Sequence, residues 1–188
     1  MGPTDTGRLR FRRLEASDYA ELRTLHGDPL VMQWIGDPEQ PGQVTAALQR
    51  WAAPTDERFG VWAAESLDGR LLGWFSLDLV EPGVGVLGYR LHRWAWGRGL
   101  ATEGCRAVLH WAFAGAGLTR VIAQTYEHNE ASRRVMAKLG MRLVRRFRLD
   151  VATLGDQPEW EGDELEYEVL AGEVRLDPGG PPPKPRVS

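Results

Sequence analysis

Apolar and polar residues alternate along this chain with two periods, and the switches between them mark its elements. Leu9 and Phe11 alternate with Arg10 and Arg12, as in a short strand. From Asp18 to His26 the period becomes helical, with Ser17 or Asp18 as the cap. A short second helix is predicted from Asp28 to Ile35, ending at Gly36, followed by a loop from Asp37 to Gly42. Val44 to Ala52 is a third helix, with Val44, Leu48 and Trp51 on one side. Arg58 to Glu65 and Arg70 to Leu79 read as a hairpin turning at Leu67-Asp68-Gly69. In its second strand Phe75, Leu77 and Leu79 share one face, and Trp74, Ser76 and Asp78 share the other.

The second half alternates strand and helix more regularly. Val84 to Leu91 is a strand, and Ala101, Cys105, Val108, Leu109 and Ala112 form the apolar stripe of the helix after it. Arg120 to Tyr126 is the next strand. A further helix opens at His128-Asn129-Glu130-Ala131-Ser132 and ends at Leu139-Gly140, with Gly140 as its C-cap. Leu165, Tyr167 and Val169 alternate with Glu164, Glu166 and Glu168, while Arg142, Arg146 and Arg148 lie on one face of the stretch from Met141 to Arg148. Antiparallel pairing of these two strands would set arginines opposite glutamates, each exposed pair adding about a few tenths of a kcal/mol. The pattern is that of an α/β protein, and the chain is long enough for one compact domain. Residues 1–7 are small and polar and are expected to fray, and the Pro/Gly-rich tail over 172–188 is expected to be disordered.

The chemistry concentrates in the run Trp96-Gly97-Arg98-Gly99-Leu100-Ala101-Thr102-Glu103. Its two glycines let the backbone approach a ligand closely. The helix start behind them presents free N–H groups and the positive end of a dipole, which is an anion site. A strand, a glycine turn and a helix in that order suggest a phosphate-bearing cofactor. No Gly-Lys-Ser/Thr follows, so the Walker pattern fails. The third glycine and the distant acid of the dinucleotide fingerprint are also out of register.

Composition narrows the field further. With 188 residues and 43% apolar content the chain can bury a real core, and a net charge of −3 gives no electrostatic case for nucleic acid. Its single cysteine excludes an internal disulfide framework and fits a reducing compartment. Cys105 lies on an apolar helical stripe and reads as a packed small hydrophobe. No signal peptide or membrane-spanning run is present, so a cytoplasmic protein without membrane partners is expected.

Four segments in order carry a family resemblance: Leu87-Gly88-Tyr89-Arg90-Leu91, then Trp96 to Glu103, then Asn129-Glu130-Ala131-Ser132, then Lys138-Leu139-Gly140-Met141. Together they resemble the cofactor-binding half of the GNAT superfamily of N-acetyltransferases. Leu9-Arg10-Phe11-Arg12-Arg13-Leu14 and Asp28-Pro29-Leu30-Val31-Met32 are similar to the branch that includes the ribosomal-protein-alanine acetyltransferases. The likeness covers roughly residues 8–171. It implies a mixed, mostly antiparallel, twisted sheet of about seven strands, with helices on both faces and splayed central strands. Three positions depart from the pattern. Trp96 stands at the first position of the loop, Arg93 replaces a proline, and Val86 replaces a glutamate proposed as a base.

The resemblance implies acetyl transfer from acetyl-coenzyme A to a primary amine by direct attack in a ternary complex, without a metal. Diphosphate would be held by the amides of Arg98, Gly99, Leu100, Ala101 and Thr102, with the Arg98 side chain beside them. Pantetheine would add like a strand along Leu91-His92-Arg93. Asn129 matches a residue beside the pantetheine arm and equally suits an N-cap. Ser132 matches a serine near the cofactor sulfur, where a hydroxyl supports or protonates the thiolate. Tyr126 is a second proton source or a packing residue. His92, Glu65 and Asp78 are candidate bases, with a water chain as the alternative and alignment of amine and thioester as the main catalytic contribution.

The acceptor would lie against residues 17–52 and the segment Gly155 to Asp163, which hold Trp34, Trp51 and Trp160. A small-molecule amine and a protein N-terminus are both open, and Asp37 and Glu39 favour a cationic one. A homodimer is expected by analogy with relatives. Two other readings stand beside this one: a coenzyme-binding sensor or scaffold without turnover, and a nucleotide-binding domain.

Overall fold

The computed structural model describes residues 1–35, 41–52, 54, 56–148 and 162–174. Strands β1 (Arg10–Arg13), β2 (Gly60–Glu65), β3 (Leu71–Glu81), β4 (Val84–Leu91), β5 (Arg120–Tyr126), β6 (Arg142–Phe147) and β7 (Glu164–Leu170) form one sheet in the order β1-β2-β3-β4-β5-β7-β6. Every neighbouring pair is antiparallel except β4 and β5. Helices α1 (Tyr19–His26), α2 (Pro29–Met32) and α3 (Pro41–Ala52) precede β2, whereas α4 (Leu100–His110) and α5 (Glu130–Lys138) lie in the second half.

Period-two alternation divides the core in two, because successive strand residues point to opposite faces. On one face Phe75, Leu77, Leu87 and Leu91 pack with Cys105, Val108 and Leu109 of α4 and Met136 of α5. On the other, Val61, Ala63, Leu71 and Trp74 pack with Leu22 and Leu25 of α1, Val31 of α2 and Leu48 of α3. The sheet therefore separates a glycine-loop layer from an N-terminal helical layer.

Element boundaries differ from the sequence pattern in three places. The second helix stops at Met32, although Asp28 caps it by accepting from Leu30 N at 3.0 Å and Pro29 opens it. From Met32 to Ile35 the chain turns instead, with Ile35 N donating to Met32 O (2.8 Å). The third helix begins earlier, at Pro41, because proline is well suited to a first helical turn. A bulge between Leu143 and Arg145 resets β6. Arg142 then faces Glu168 and Arg145 faces Glu166, while Arg146 reaches Glu127 (3.0 Å) and Asp163 (3.5 Å). The expectation that Arg142, Arg146 and Arg148 share a face fails at that extra residue, since one insertion flips every later side chain.

Residues 1–7, expected to fray, make defined contacts. Asp5 Oδ1 accepts from Phe11 N (2.8 Å), Thr6 N donates to Leu9 O (2.8 Å) and Thr6 Oγ1 donates to Glu103 Oε1 (2.5 Å). The expectations for residues 175–188, for Asp37 and Glu39, and for Trp160 lie outside the described residues. Among the described residues no helix is long and apolar enough to cross a membrane.

Candidate active site

The site begins where a ladder ends. Parallel β4 and β5 pair only over Val84–Arg120, Gly85–Val121 and Val86–Ile122. Both strands run on without pairing to each other, β4 to Leu91 and β5 to Tyr126. The edge of β4 beyond Val86 thus faces a gap between two central strands. An extended ligand with amide groups can add to such an edge as a strand would.

The glycine turn stands at the far end of that gap. Gly97 (φ 71°) and Gly99 (φ 78°) occupy the left-handed region, which glycine enters without steric cost. Gly99 is the N-cap of α4 and offers no side chain to the helix. The first intrahelical bond runs from Glu103 N to Gly99 O (3.0 Å). Among the described residues no protein acceptor faces the N–H groups of Arg98, Gly99, Leu100, Ala101 or Thr102. A Cβ on Gly97 would meet nothing within 4 Å, so the turn is open at that glycine. Five bare N–H groups at the positive end of an 11-residue helix are a fitting cradle for a diphosphate.

Leu91, His92 and Arg93, expected to run beside pantetheine, have several polar groups already engaged within the chain. Trp96 Nε1 donates to the Leu91 carbonyl (2.7 Å), and the His92 amide donates to Leu72 O (2.9 Å). Arg93 Nε donates to Asp28 Oδ2 (2.7 Å), which ties the turn to α2. Arg98 has no ion-pair partner for its side chain among the described residues, and its carbonyl accepts from Arg8 Nη1 (2.9 Å).

Across the gap the fold joins two hydroxyls. Ser132, in the first turn of α5, lies 3.0 Å from Tyr89 of β4 (Oγ to Oη). Asn129 Oδ1 accepts from Ser132 N (3.1 Å), so Asn129 is the N-cap and fixes the serine's place. Tyr89 stacks on Phe75 with ring centroids 6.0 Å apart. Burial, aided by the neighbouring Cys105, pushes the phenol up against an opposing bond to Ser132, so Tyr89 keeps its proton at neutral pH. Cys105 is fully buried and burial raises its thiol as well, as suits a packed side chain. Sequence alone assigns Tyr89 no role, because its partner lies 43 residues away.

On the opposite face of the sheet β3 and β4 bring a second set together. Asp78 is directly opposite Val86, Ser76 opposite Gly88 and Trp74 opposite Arg90. A Cβ on Gly88 would come within 2.6 Å of Ser76 Oγ, so glycine is what lets that hydroxyl sit over the strand. The Asp78 side chain is solvent-exposed, and the desolvation its neighbours cause raises its carboxyl against a lowering bond from Ser76. Asp78 therefore holds a carboxylate directly opposite Val86, at the point where the β4–β5 ladder stops. The other two candidate bases lie elsewhere. Glu65 accepts from Arg12 Nε (2.8 Å) near the sheet edge. His92 is buried beside Trp94 with Nε2 4.0 Å from Glu21, and burial lowers its proton affinity.

Aromatic residues line this same face. Trp34 stacks on Tyr126 (5.5 Å), and His128 packs edge-on against Tyr126 (5.3 Å). Trp51 packs on Trp74 (5.2 Å), whose Nε1 donates to buried His26 Nε2 (3.0 Å). Tyr126 is a buried strand-end residue here, as the packing alternative had it. Glu164 stands opposite Tyr126 on β7, with its carboxyl raised by burial.

Beside this geometry stands a match of sequence: the family model described as the acetyltransferase (GNAT) domain matches residues 8–142. The chain belongs to the GNAT acetyltransferase family. It is 32% identical over 156 residues to FsC-acetyl coenzyme A-N(2)-transacetylase of Aspergillus fumigatus, covering 76% of this chain and 66% of that protein. It is also 27% identical over 142 residues to the uncharacterised N-acetyltransferase YoaA of Bacillus subtilis, covering 72% of this chain and 80% of the relative. The fold superposes on a GNAT-family acetyltransferase from Bacillus anthracis with a TM-score of 0.80 at 23% identity, over 92% of this chain and 100% of the other. A spermidine N-acetyltransferase from Vibrio cholerae, crystallised with CoA and spermine, superposes with a TM-score of 0.75 at 14% identity, over 88% of this chain and 96% of the other. The seven-stranded mixed sheet with helices on both faces is thus the family's fold, and the family fits acetyl-coenzyme A as cosubstrate of an N-acetyltransferase.

Proposed function

We propose that the chain moves an acetyl group from acetyl-coenzyme A to a primary amine by direct attack in a ternary complex. The observation that carries this reading is the unpaired run of β4 leading to five bare amides at the start of α4. Arg98, Gly99, Leu100, Ala101 and Thr102 hold the diphosphate, and the β4 edge aligns the pantetheine arm. The bound cosubstrate supplies an activated acyl carbon and a thiolate leaving group. Everything else falls to the protein: exclusion of water, alignment, and movement of two protons.

The two faces of the sheet divide the proton work. Asp78, raised above the ordinary carboxylate range, takes the proton from the amine on the α1–α3 face. Ser132 gives a proton to the departing sulfur on the α4–α5 face and regains one from solvent, while Tyr89 keeps its own proton and donates a hydrogen bond to the serine oxygen. Asn129 positions Ser132 and borders the thioester. Acidic Asp78 and Glu164 and the Trp34–Tyr126 stack on the acceptor face suit a cationic small amine better than an anionic one. The name of the Vibrio neighbour supports that class, and the branch resemblance keeps a protein N-terminus as the other acceptor. The same reading has the enzyme cytoplasmic and homodimeric.

Loss of the customary glutamate at Val86 motivates the alternative of a coenzyme-binding scaffold without turnover, and Asp78 beside it weakens that alternative. Steady-state thiol release with acetyl-coenzyme A and a panel of polyamines, amino acids and N-terminal peptides tests both. Release with at least one amine is expected. Tight coenzyme binding with no release for any amine supports the scaffold.

A further inference from the structure

Glu103 poses a problem for any anion bound at the start of α4. It is the fourth residue of the helix, and its amide donates to Gly99 O (3.0 Å). A free carboxylate there would compete with a diphosphate for the same amides and repel it. The fold does not leave it free. Arg8, 95 residues earlier in the chain, donates from Nε to Glu103 Oε2 (2.7 Å) and pairs with the same oxygen through Nη2. The Arg8 amide donates to Glu103 Oε1 (3.2 Å), as does Thr6 Oγ1 (2.5 Å). The remaining arm of the guanidinium, Nη1, donates to the carbonyl of Arg98 inside the glycine turn (2.9 Å). A Cβ built on Gly99 would lie 3.6 Å from Arg8 Nη2, so this cation borders the open amides.

We propose that Arg8 is a positioning residue for the coenzyme: it turns Glu103 away from the loop amides and cancels its charge, so that diphosphate meets bare N–H donors only. The inference rests on the acetyl-coenzyme A reading. Thr6 and Arg8 form a strap from the segment before β1, closing on the turn between β4 and α4. Both Glu103 oxygens are engaged by the strap, and the Arg98 carbonyl, which would otherwise face the same anion, is engaged as well. Arg8 itself stays half-exposed with its charge spent on Glu103.

A double-mutant cycle decides the matter. Coenzyme A is titrated calorimetrically into the full-length chain, its Arg8→Ala and Glu103→Gln variants, and the double variant, at low and high salt. Arg8→Ala is expected to weaken binding about 10-fold or more at low salt, with the gap closing near 1 M salt, where screening reaches about 3 Å. Glu103→Gln alone should stay within about 3-fold of the parent. The double variant should recover to that same level, because the carboxylate that Arg8 restrains is gone. Binding by Arg8→Ala equal to the parent overturns the proposal. So does a double variant as weak as Arg8→Ala, which would mean that the guanidinium touches the phosphate itself. Should Arg8→Ala fail to fold by circular dichroism, Arg8→Gln replaces it, keeping a donor for Arg98 O without the charge. A parent chain that binds no coenzyme A overturns the acetyltransferase reading instead, and with it this one.

Discussion

The proposed coenzyme side and the proposed acceptor side of this sheet are built by opposite means. Between Val84 and Lys138 the working groups are largely main chain: an unpaired strand edge, two glycines at positive φ and a helix start. On the α1–α3 face they are side chains brought from distant elements, such as Asp78, Trp34, Tyr126 and Glu164. Main-chain sites need a particular backbone shape and tolerate many side chains around it. Side-chain sites can be rewritten one residue at a time. On the proposed reading, that contrast lets the acceptor site change while the cosubstrate site is kept.

The contrast can be broken first at Gly99. Gly99→Asp forces a side chain into a left-handed position and sets a negative charge among the bare amides. A loss of about 1000-fold in coenzyme A affinity is expected by calorimetry, with the amine site untouched. Unchanged affinity would place the diphosphate elsewhere.

The acceptor side is probed next at Asp78. Its carboxyl must be ionised to take a proton, and its affinity for protons is raised. The kcat/KM of the parent should therefore fall as pH drops through a value above the ordinary carboxylate range. Asp78→Asn should lower kcat about 100-fold and remove that acid limb, leaving coenzyme affinity within about 2-fold. A variant with the parental pH profile would assign the base to water.

A smaller effect concerns stability on the acceptor side, where α1 is anchored by charge. Arg12 donates to both Asp18 oxygens (2.7 Å each) and also to Glu65. Burial alone raises the Asp18 carboxyl, but the Arg12 bonds, the Glu15 amide and the Arg12 charge together outweigh it and hold the carboxyl below its ordinary range. A depressed folded value stabilises the protein above the unfolded carboxylate range, and the gain is lost as pH falls through the folded value. Asp18→Asn should cost about 2 kcal/mol in urea unfolding at pH 7 and much less in strong acid. An equal cost at both pH values would exclude the charge.

Ser132→Ala is the mildest test, because Tyr89 remains nearby to donate a hydrogen bond. A loss of about 10-fold in kcat is expected with coenzyme affinity unchanged. Equal activity would leave Ser132 as a helix residue capped by Asn129.

Legibility followed the same division. Local signals sufficed for β4, α4, β5 and α5, because period, capping and glycine placement act within a few residues. The glycine turn and the helix start behind it are readable for that reason, and so is Asn129 as the cap of α5. Tyr89 as the partner of Ser132 and Arg8 as the restraint on Glu103 were not readable. Each depends on two segments meeting 43 and 95 residues apart. The bulge in β6 was invisible as well, since an inserted strand residue leaves the composition unchanged.

Sequence alone determined the alternation of elements, the glycine turn before α4 and the family to which these belong, because all three are written in short-range pattern. Tertiary structure alone decided that β4 and β5 part after Val86, that Asp78 stands directly opposite Val86, and that α1–α3 and α4–α5 occupy opposite faces. Those outcomes follow from strand order and register, which the packing of the whole chain selects.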